Sequence, residues 1–421
     1  MLKDITAILV QYSDQAVLNK ALASLNRFSS RLDKVIIFQE GNRSFSSVNA
    51  YDWSNRTQYI TYNGTGKALR QTVNTINSPY VLFLQRTDYL SSAATIQIPH
   101  HHQVLGTFHS NQKTEVHFPL LVRTSLLKSH SFLTYNQLPF KEALLPSWLS
   151  TVDTSLQLIE KDLTKQTRNN YSTTILEKQK FMQKYNLEKV NTGSANLSVI
   201  IPTYNMAAYV ENAVVSCLLQ NEQLEEILIM DDGSTDDSYE QIRRWHDGKQ
   251  VKVFTKENGG KARALNDLLP HVTSDFILEL DADDWLDPDA VSEIKKQLLK
   301  LPDDISVLYG NLRKWKQIDG DVLFKSISKG VAVKSRANLL SYRFPLGPRI
   351  YRTSLLKKAG GFPVITWKDG RLYEDISVLN RLIKNSRFQY SDFTVYNVRK
   401  HKDSITKDNH SNWKDFLKIL E

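Results

Sequence analysis

One cysteine, Cys217, is all that the 421-residue sequence holds. An internal disulfide framework is excluded, and so is a zinc site built on paired cysteines. Cys217 lies in an apolar helical pattern and reads as core. No run approaches the roughly 18 apolar residues of a membrane-spanning helix. The opening "MLKDITAILVQYSDQ" has neither a basic leader nor a small-residue cleavage site, so it reads as a first strand and implies a cytoplasmic protein. RNA-recognition aromatics, Cys/His finger spacing and basic heptads are missing as well, and nucleic acid is not expected as a partner.

What is present is an ordinary globular composition with a basic surplus. Hydrophobic residues make up 41% and charged ones 24%, which is enough apolar material for most of the chain to fold. The length suggests two or three domains. Lys and Arg outnumber Asp and Glu by 54 to 45, a net charge of +9. Such a surplus favours anionic company, among which phosphates, acidic glycans and a peripheral contact with anionic lipid all qualify.

From residue 197 onward, strand and helix patterns alternate. "LSVIIPTY", "EEILIMDD", "VKVFT" and "DFILELD" read as strands, and the segments between them carry helical apolar stripes. That order predicts an α/β fold with a mostly parallel sheet covered on both faces, with ligands beyond the carboxyl ends of its strands. Residues 1 to about 90 repeat the pattern. "TAILVQYS", "ALASL" and "DKVIIFQEGN" align without a gap to segments 192 residues later, and Arg123 to Lys128 match Arg352 to Lys357 letter for letter. An internal duplication follows, with two domains of one fold. The boundaries expected are a first domain at 1–149, a helical connector at 150–195 and a second domain at 196–421.

Four motifs sit at the ends of elements in the second domain. They are "PTYN" at 202–205, "DDGSTD" at 231–236, "DADD" at 281–284 and "YED" at 373–375. In extended backbone, residues two apart point the same way, so Asp281 and Asp283 can face one spot. Two converging carboxylates call for a cation, and hard oxygen ligands select Mg2+ or Mn2+. A solvated acidic loop is the alternative for that motif alone, and an acidic turn for "DDGSTD". Asp287 reads as a helix cap before Pro288. Glu374 and Asp375 open an amphipathic helix, where acids also stabilise the positive end. His401 is a further ligand candidate.

Taken together with "NGGKARALN" and the later His401, these motifs resemble the family 2 glycosyltransferases of the GT-A fold, over about residues 196–408. The resemblance implies that Pro202, Thr203, Tyr204 and Asp232 line the nucleotide's base and ribose. It implies that Asp281 and Asp283 hold the divalent metal on the diphosphate, with His401 completing that site, and that Asp375 is the catalytic base beside Glu374. Lys261 and Arg263 join the substrate-binding set, although each reads equally as a surface charge. The function implied is inverting transfer of a sugar from a nucleotide-sugar, UDP-linked, to a hydroxyl acceptor of a glycan. The alternative is a non-catalytic nucleotide-binding or structural assembly protein built of two such modules. A sugar nucleotidyltransferase is disfavoured, because no glycine-rich N-terminal phosphate loop is found.

The first copy departs from this set. Gln39 and Glu40 stand for Asp231 and Asp232, Val10 stands for Pro202, and Gln85 and Thr87 stand for Asp281 and Asp283. Asp88 remains, and Glu142 is the candidate counterpart of the base. An amide and a hydroxyl do not compensate a divalent cation as two carboxylates do. The first domain therefore reads as a degenerate GT-A copy serving architecture, acceptor binding or a homodimer. The histidines of "PHHHQ" at 99–103 read as a loop.

Overall fold

The computed structural model describes residues 3–41, 45–46, 51–62, 65–110, 113–167, 172–193, 195–318, 320–341, 346–365, 373–402 and 413–420. They form two compact units, Met1–Asn186 and Leu187–Glu421.

In the first unit the strands are β1 (Ile5–Val10), β2 (Leu32–Glu40), β3 (Thr57–Tyr62), β4 (Tyr80–Gln85), β5 (Asp88–Leu90), β6 (Val104–Phe108), β7 (Phe118–Arg123), β8 (Gln157–Lys161) and β9 (Thr164–Gln166). Every residue of β1 is buried, as expected of a central strand with helices on both faces. The helix Gln15–Leu25 starts where the Asp14 carboxylate accepts from the Val17 N–H, and it buries Val17, Leu18, Ala21, Leu22 and Leu25 against the sheet.

The sheet runs in the order β3-β2-β1-β4-β7-β6-β8. β8 and β9 fall within 150–195, where sequence composition suggested a helical connector. β8 pairs parallel to β6, β9 pairs antiparallel to β5, and the helix is confined to Thr173–Gln183. An edge strand has one paired side and one wet side, so its composition resembles that of an exposed helix. The partner more than fifty residues away is what makes it a strand.

The second unit has β10 (Leu197–Thr203), β11 (Ile227–Asp231), β12 (Val251–Thr255), β13 (Phe276–Glu279), β14 (Trp285–Leu286), β15 (Ile305–Ile318), β16 (Asp321–Ser328), β17 (Arg349–Arg352) and β18 (Arg387–Lys400). Its sheet order is β12-β11-β10-β13-β17-β15-β18-β14, with β16 on β15. Seven strands of this path match the first unit one for one. β10 lies parallel to β11 and β13, as β1 does to β2 and β4, and β17 is antiparallel to both of its neighbours, as β7 is.

Cys217 is buried in the core, and burial pushes its thiol up to about 12. Asp287 is not a cap. It is fully buried, its carboxylate accepts from Arg313 Nη1 at 2.6 and 2.9 Å and from Asn397 Nδ2 at 2.7 Å, and the helix Ala290–Leu298 is preceded instead by Asp289. The capping signal was local, whereas Arg313 reaches Asp287 only through β15.

Candidate active site

Strand order in the second unit reverses at β10, between β11 and β13. In open parallel sheets, ligands occupy the crevice beyond the strand ends at such a reversal. β10 ends on buried Pro202 and Thr203, and Tyr204 beyond them is 43% exposed. The Thr203 hydroxyl oxygen is buried with no hydrogen-bond partner among the described residues. Asn205, at φ 52°, joins two motifs: its N–H donates to Ser234 Oγ (2.9 Å) and its Oδ1 accepts from the Thr235 N–H (2.8 Å). Gly233 has φ 72°, and a Cβ there would come within 2.7 Å of the Asn258 nitrogen, so the turn requires glycine.

The two acids of this turn divide differently from the sequence expectation. Asp232, expected on the base and ribose, gives both carboxylate oxygens to the backbone N–H groups of Gly259 (2.9 Å) and Gly260 (2.7 Å). Asp231 accepts from the Ser234 N–H (3.1 Å) through Oδ2, while its Oδ1 is buried without a partner among the described residues. Asp231 also lines a cavity of about 510 Å³ together with Ser234, Tyr239, Thr255, Lys256 and Asn258.

Past β13 the acids spread over distinct counter-charges. Lys261, the first residue of the helix Lys261–Leu268, places its Nζ 2.6 Å from Asp281, 2.9 Å from Glu279 and 3.3 Å from Glu374. Burial disfavours that ammonium, but the charges of Asp281, Glu279 and Glu374 hold it well above its ordinary value. Asp283 pairs with His401 (Oδ2 to Nε2, 3.0 Å), and the His401 ring lies 4.5 Å from that of Tyr209.

β18 fixes the turn itself. Tyr396 Oη accepts from the Asp281 N–H (3.0 Å), Arg399 Nε donates to the Asp283 carbonyl (2.8 Å), and the Arg399 N–H donates to Asp284 Oδ1 (2.8 Å). Burial first, then the charges of Asp283 and Asp281, push the Asp284 carboxyl well above the usual range. Asp284 is thus a buried anchor of the turn.

Glu374 and Asp375 open the helix Glu374–Leu382. Burial and the neighbouring Asp375 raise the Glu374 carboxyl against the pull of Lys261. Asp375 is more open; its Oδ2 lies 3.9 Å from Arg349 Nη1, and its Oδ1 accepts from the Ile376 N–H (2.8 Å). Arg263 stays on the surface with its Nη1 on the Gly259 carbonyl (2.6 Å).

Three residues beneath the site were not singled out from sequence. Glu279 is buried and accepts from Arg349 through both oxygens (2.9 and 2.7 Å) and from the Tyr351 hydroxyl (3.0 Å). A glutamate two residues before Asp281, inside an otherwise apolar strand, was the available signal.

Among the described residues, no three His, Cys, Asp or Glu side chains are arranged to hold a metal ion. The three expected ligands form separate pairs instead: Asp281 with Lys261, and Asp283 with His401. Repulsion between neighbouring carboxylates favours that separation. By donor chemistry, two carboxylates and an imidazole still fit a hard divalent cation.

Residues 198–318 match the family model described as "Glycosyl transferase family 2". The chondroitin synthase of Pasteurella multocida is 39% identical over 105 residues, which is 25% of this chain and 11% of the synthase. The chain therefore spans about a tenth of that relative. Glycosyltransferase GlyG of Streptococcus pneumoniae is 26% identical over 221 residues, 50% of this chain and 73% of GlyG. A crystal structure of S. aureus TarS with UDP-GlcNAc covers 53% of this chain and 65% of its own, at 21% identity and a TM-score of 0.40.

Proposed function

We propose, from the match of residues 198–318 to the glycosyl transferase family 2 model, that the protein transfers a sugar, with inversion, from a UDP-sugar to a hydroxyl acceptor of a growing glycan. The observation that carries this reading is the meeting of Asp281 and Glu374 on one ammonium, that of Lys261. It brings the acidic end of β13 and the Glu374–Asp375 pair, 93 residues apart in sequence, to one place.

Each group then has a role. Asp231, which lines the cavity and whose Oδ1 has no partner among the described residues, suits a base that carries a ring N–H, as uracil does, and Tyr204, next to Thr203 in sequence, is exposed. Asp232 holds the Gly259–Gly260 backbone that starts the Lys261 helix, so its part is to shape the loop beneath the nucleotide. Asp281, Asp283 and His401 would hold a divalent ion, Mn2+ or Mg2+, which supplies charge neutralisation to a bound diphosphate. Asp375 accepts the proton of the acceptor hydroxyl. As that oxygen bonds to the anomeric carbon, the bond from carbon to diphosphate breaks, and its electron pair leaves with the nucleotide. Attack opposite the departing group inverts the carbon. Arg349, its Nη1 3.9 Å from Asp375 Oδ2, orients that carboxylate, and Lys261 can follow Asp281 or the phosphates.

General-base help is worth on the order of 10² to 10⁴ in rate. In a transfer assay with UDP-sugars and Mn2+, Asp375→Asn is expected to lose that factor in kcat while its nucleotide Kd stays near wild type, and chelation of the metal is expected to abolish transfer. Equal turnover by wild type and Asp375→Asn would remove Asp375 from the mechanism.

A further inference from the structure

Where β15 and β18 run side by side, from Leu312 to Lys316, their register is unbroken: Leu312 faces Tyr396, Lys314 faces Val398 and Lys316 faces Lys400. Side chains alternate along a strand, so these six share one face of the sheet. The opposite face is closed, with Arg313 on Asp287 and Trp315 Nε1 on Asn397 Oδ1 (2.9 Å). At the inner end of the shared face Leu312 and Tyr396 are buried in the core, where the Tyr396 hydroxyl meets the Asp281 N–H. At the outer end Lys316 and Lys400 lie directly across from each other, both exposed, with Lys314 half-buried one step inward.

Like charges opposed across a strand pair are destabilising. Among the described residues no ion pair joins Lys316 or Lys400 to a carboxylate, although ion pairs are frequent elsewhere in this unit. Burial, together with the charge of Lys400, lowers the Lys314 ammonium from its ordinary value. One step of two residues, about 6.6 Å, separates Lys314 from Lys316 along β15, and Lys400 lies across from Lys316.

We propose that the Lys314, Lys316 and Lys400 face binds a polyanionic glycan, the acceptor chain, and leads its end toward Asp281. This rests on the transferase reading above. A polyanionic chain fits better than an anionic membrane, because the three ammonium groups are clustered at one place and Lys400 directly precedes His401, which pairs with Asp283.

The test is binding of polygalacturonate to the full chain, followed by calorimetry at low salt, with neutral dextran as control and phosphatidylglycerol vesicles as a third arm. Wild type is expected to bind polygalacturonate and not dextran. The double variant Lys316→Ala, Lys400→Ala is expected to lose at least about tenfold in affinity, about 1.4 kcal/mol, while donor hydrolysis is unchanged. Lys316→Arg with Lys400→Arg is expected to retain binding, which separates charge from fold. Unchanged polygalacturonate affinity in the double alanine variant overturns the proposal, as does an effect confined to vesicles. Loss of donor hydrolysis in Asp375→Asn, measured in parallel, reports on the transferase reading separately.

Discussion

At the scale of single residues, Glu279 carries more than its neighbours. Its buried carboxylate is shared by Arg349, Lys261 and Tyr351, and through the two cations it joins Asp281, Glu374 and Asp375. Burial opposes its charge, yet Arg349 and Lys261 hold the carboxyl well below the usual range. Glu279→Gln would leave both cations buried against a neutral amide. Breaking a buried pair from one side costs about 3–5 kcal/mol, expected as a lower urea midpoint at pH 7 with unchanged slope. Because the folded-state pKa is depressed, this stabilisation is present above about pH 4.5 and fades as pH falls below it. Wild-type and variant stabilities should converge in acid. Identical midpoints at pH 7 would show that the hub contributes nothing.

At the scale of elements, the helix Trp413–Leu420 meets the site through Tyr373. Phe416 is fully buried, its ring stacked 4.5 Å from that of Tyr373, and Trp413 meets the same tyrosine edge-on at 5.4 Å. Tyr373 has the left-handed φ of 59° and is followed at once by Glu374 and Asp375. A bulky residue in that region costs on the order of 1–3 kcal/mol and persists only where its surroundings impose it. The helix therefore clamps the turn that aims the acid pair. Phe416→Ala is expected to reduce kcat for transfer by about 10²-fold, the scale of a displacement of about 1 Å at the chemistry, with nucleotide Kd preserved and activity retained in Phe416→Tyr. A fall in nucleotide affinity to match kcat would mean general loosening instead of misaim.

At the scale of the whole molecule, one strand order occurs twice but one site is expected. In the first unit Gln85 and Thr87 hold the places of Asp281 and Asp283. Asp88 gives its carboxylate to Gln166 Nε2 (3.2 Å) and faces His109 (3.3 Å), and Glu142 is buried on Lys178 (3.1 and 3.2 Å). Calorimetric titration of the full chain with UDP and Mn2+ is expected to give one site per chain, lost in Asp281→Ala. Two sites, or one that survives this substitution, would place nucleotide in the first unit.

The sequence by itself determined the α/β class and the motifs, because alternating strand and helix periods, turn glycines and paired acids are local signals. The rest was decided by partners distant along the chain. β8 and β9 became strands by pairing with β6 and β5, and Asp287 became a buried ion-pair partner because β15 brought Arg313 to it. Asp231 and Asp232 are adjacent and chemically identical, and the Gly259–Gly260 backbone distinguishes them by occupying one. Which counter-charge each carboxylate meets is set by tertiary contact, since Coulomb and hydrogen-bond energies depend on distances that sequence spacing does not encode.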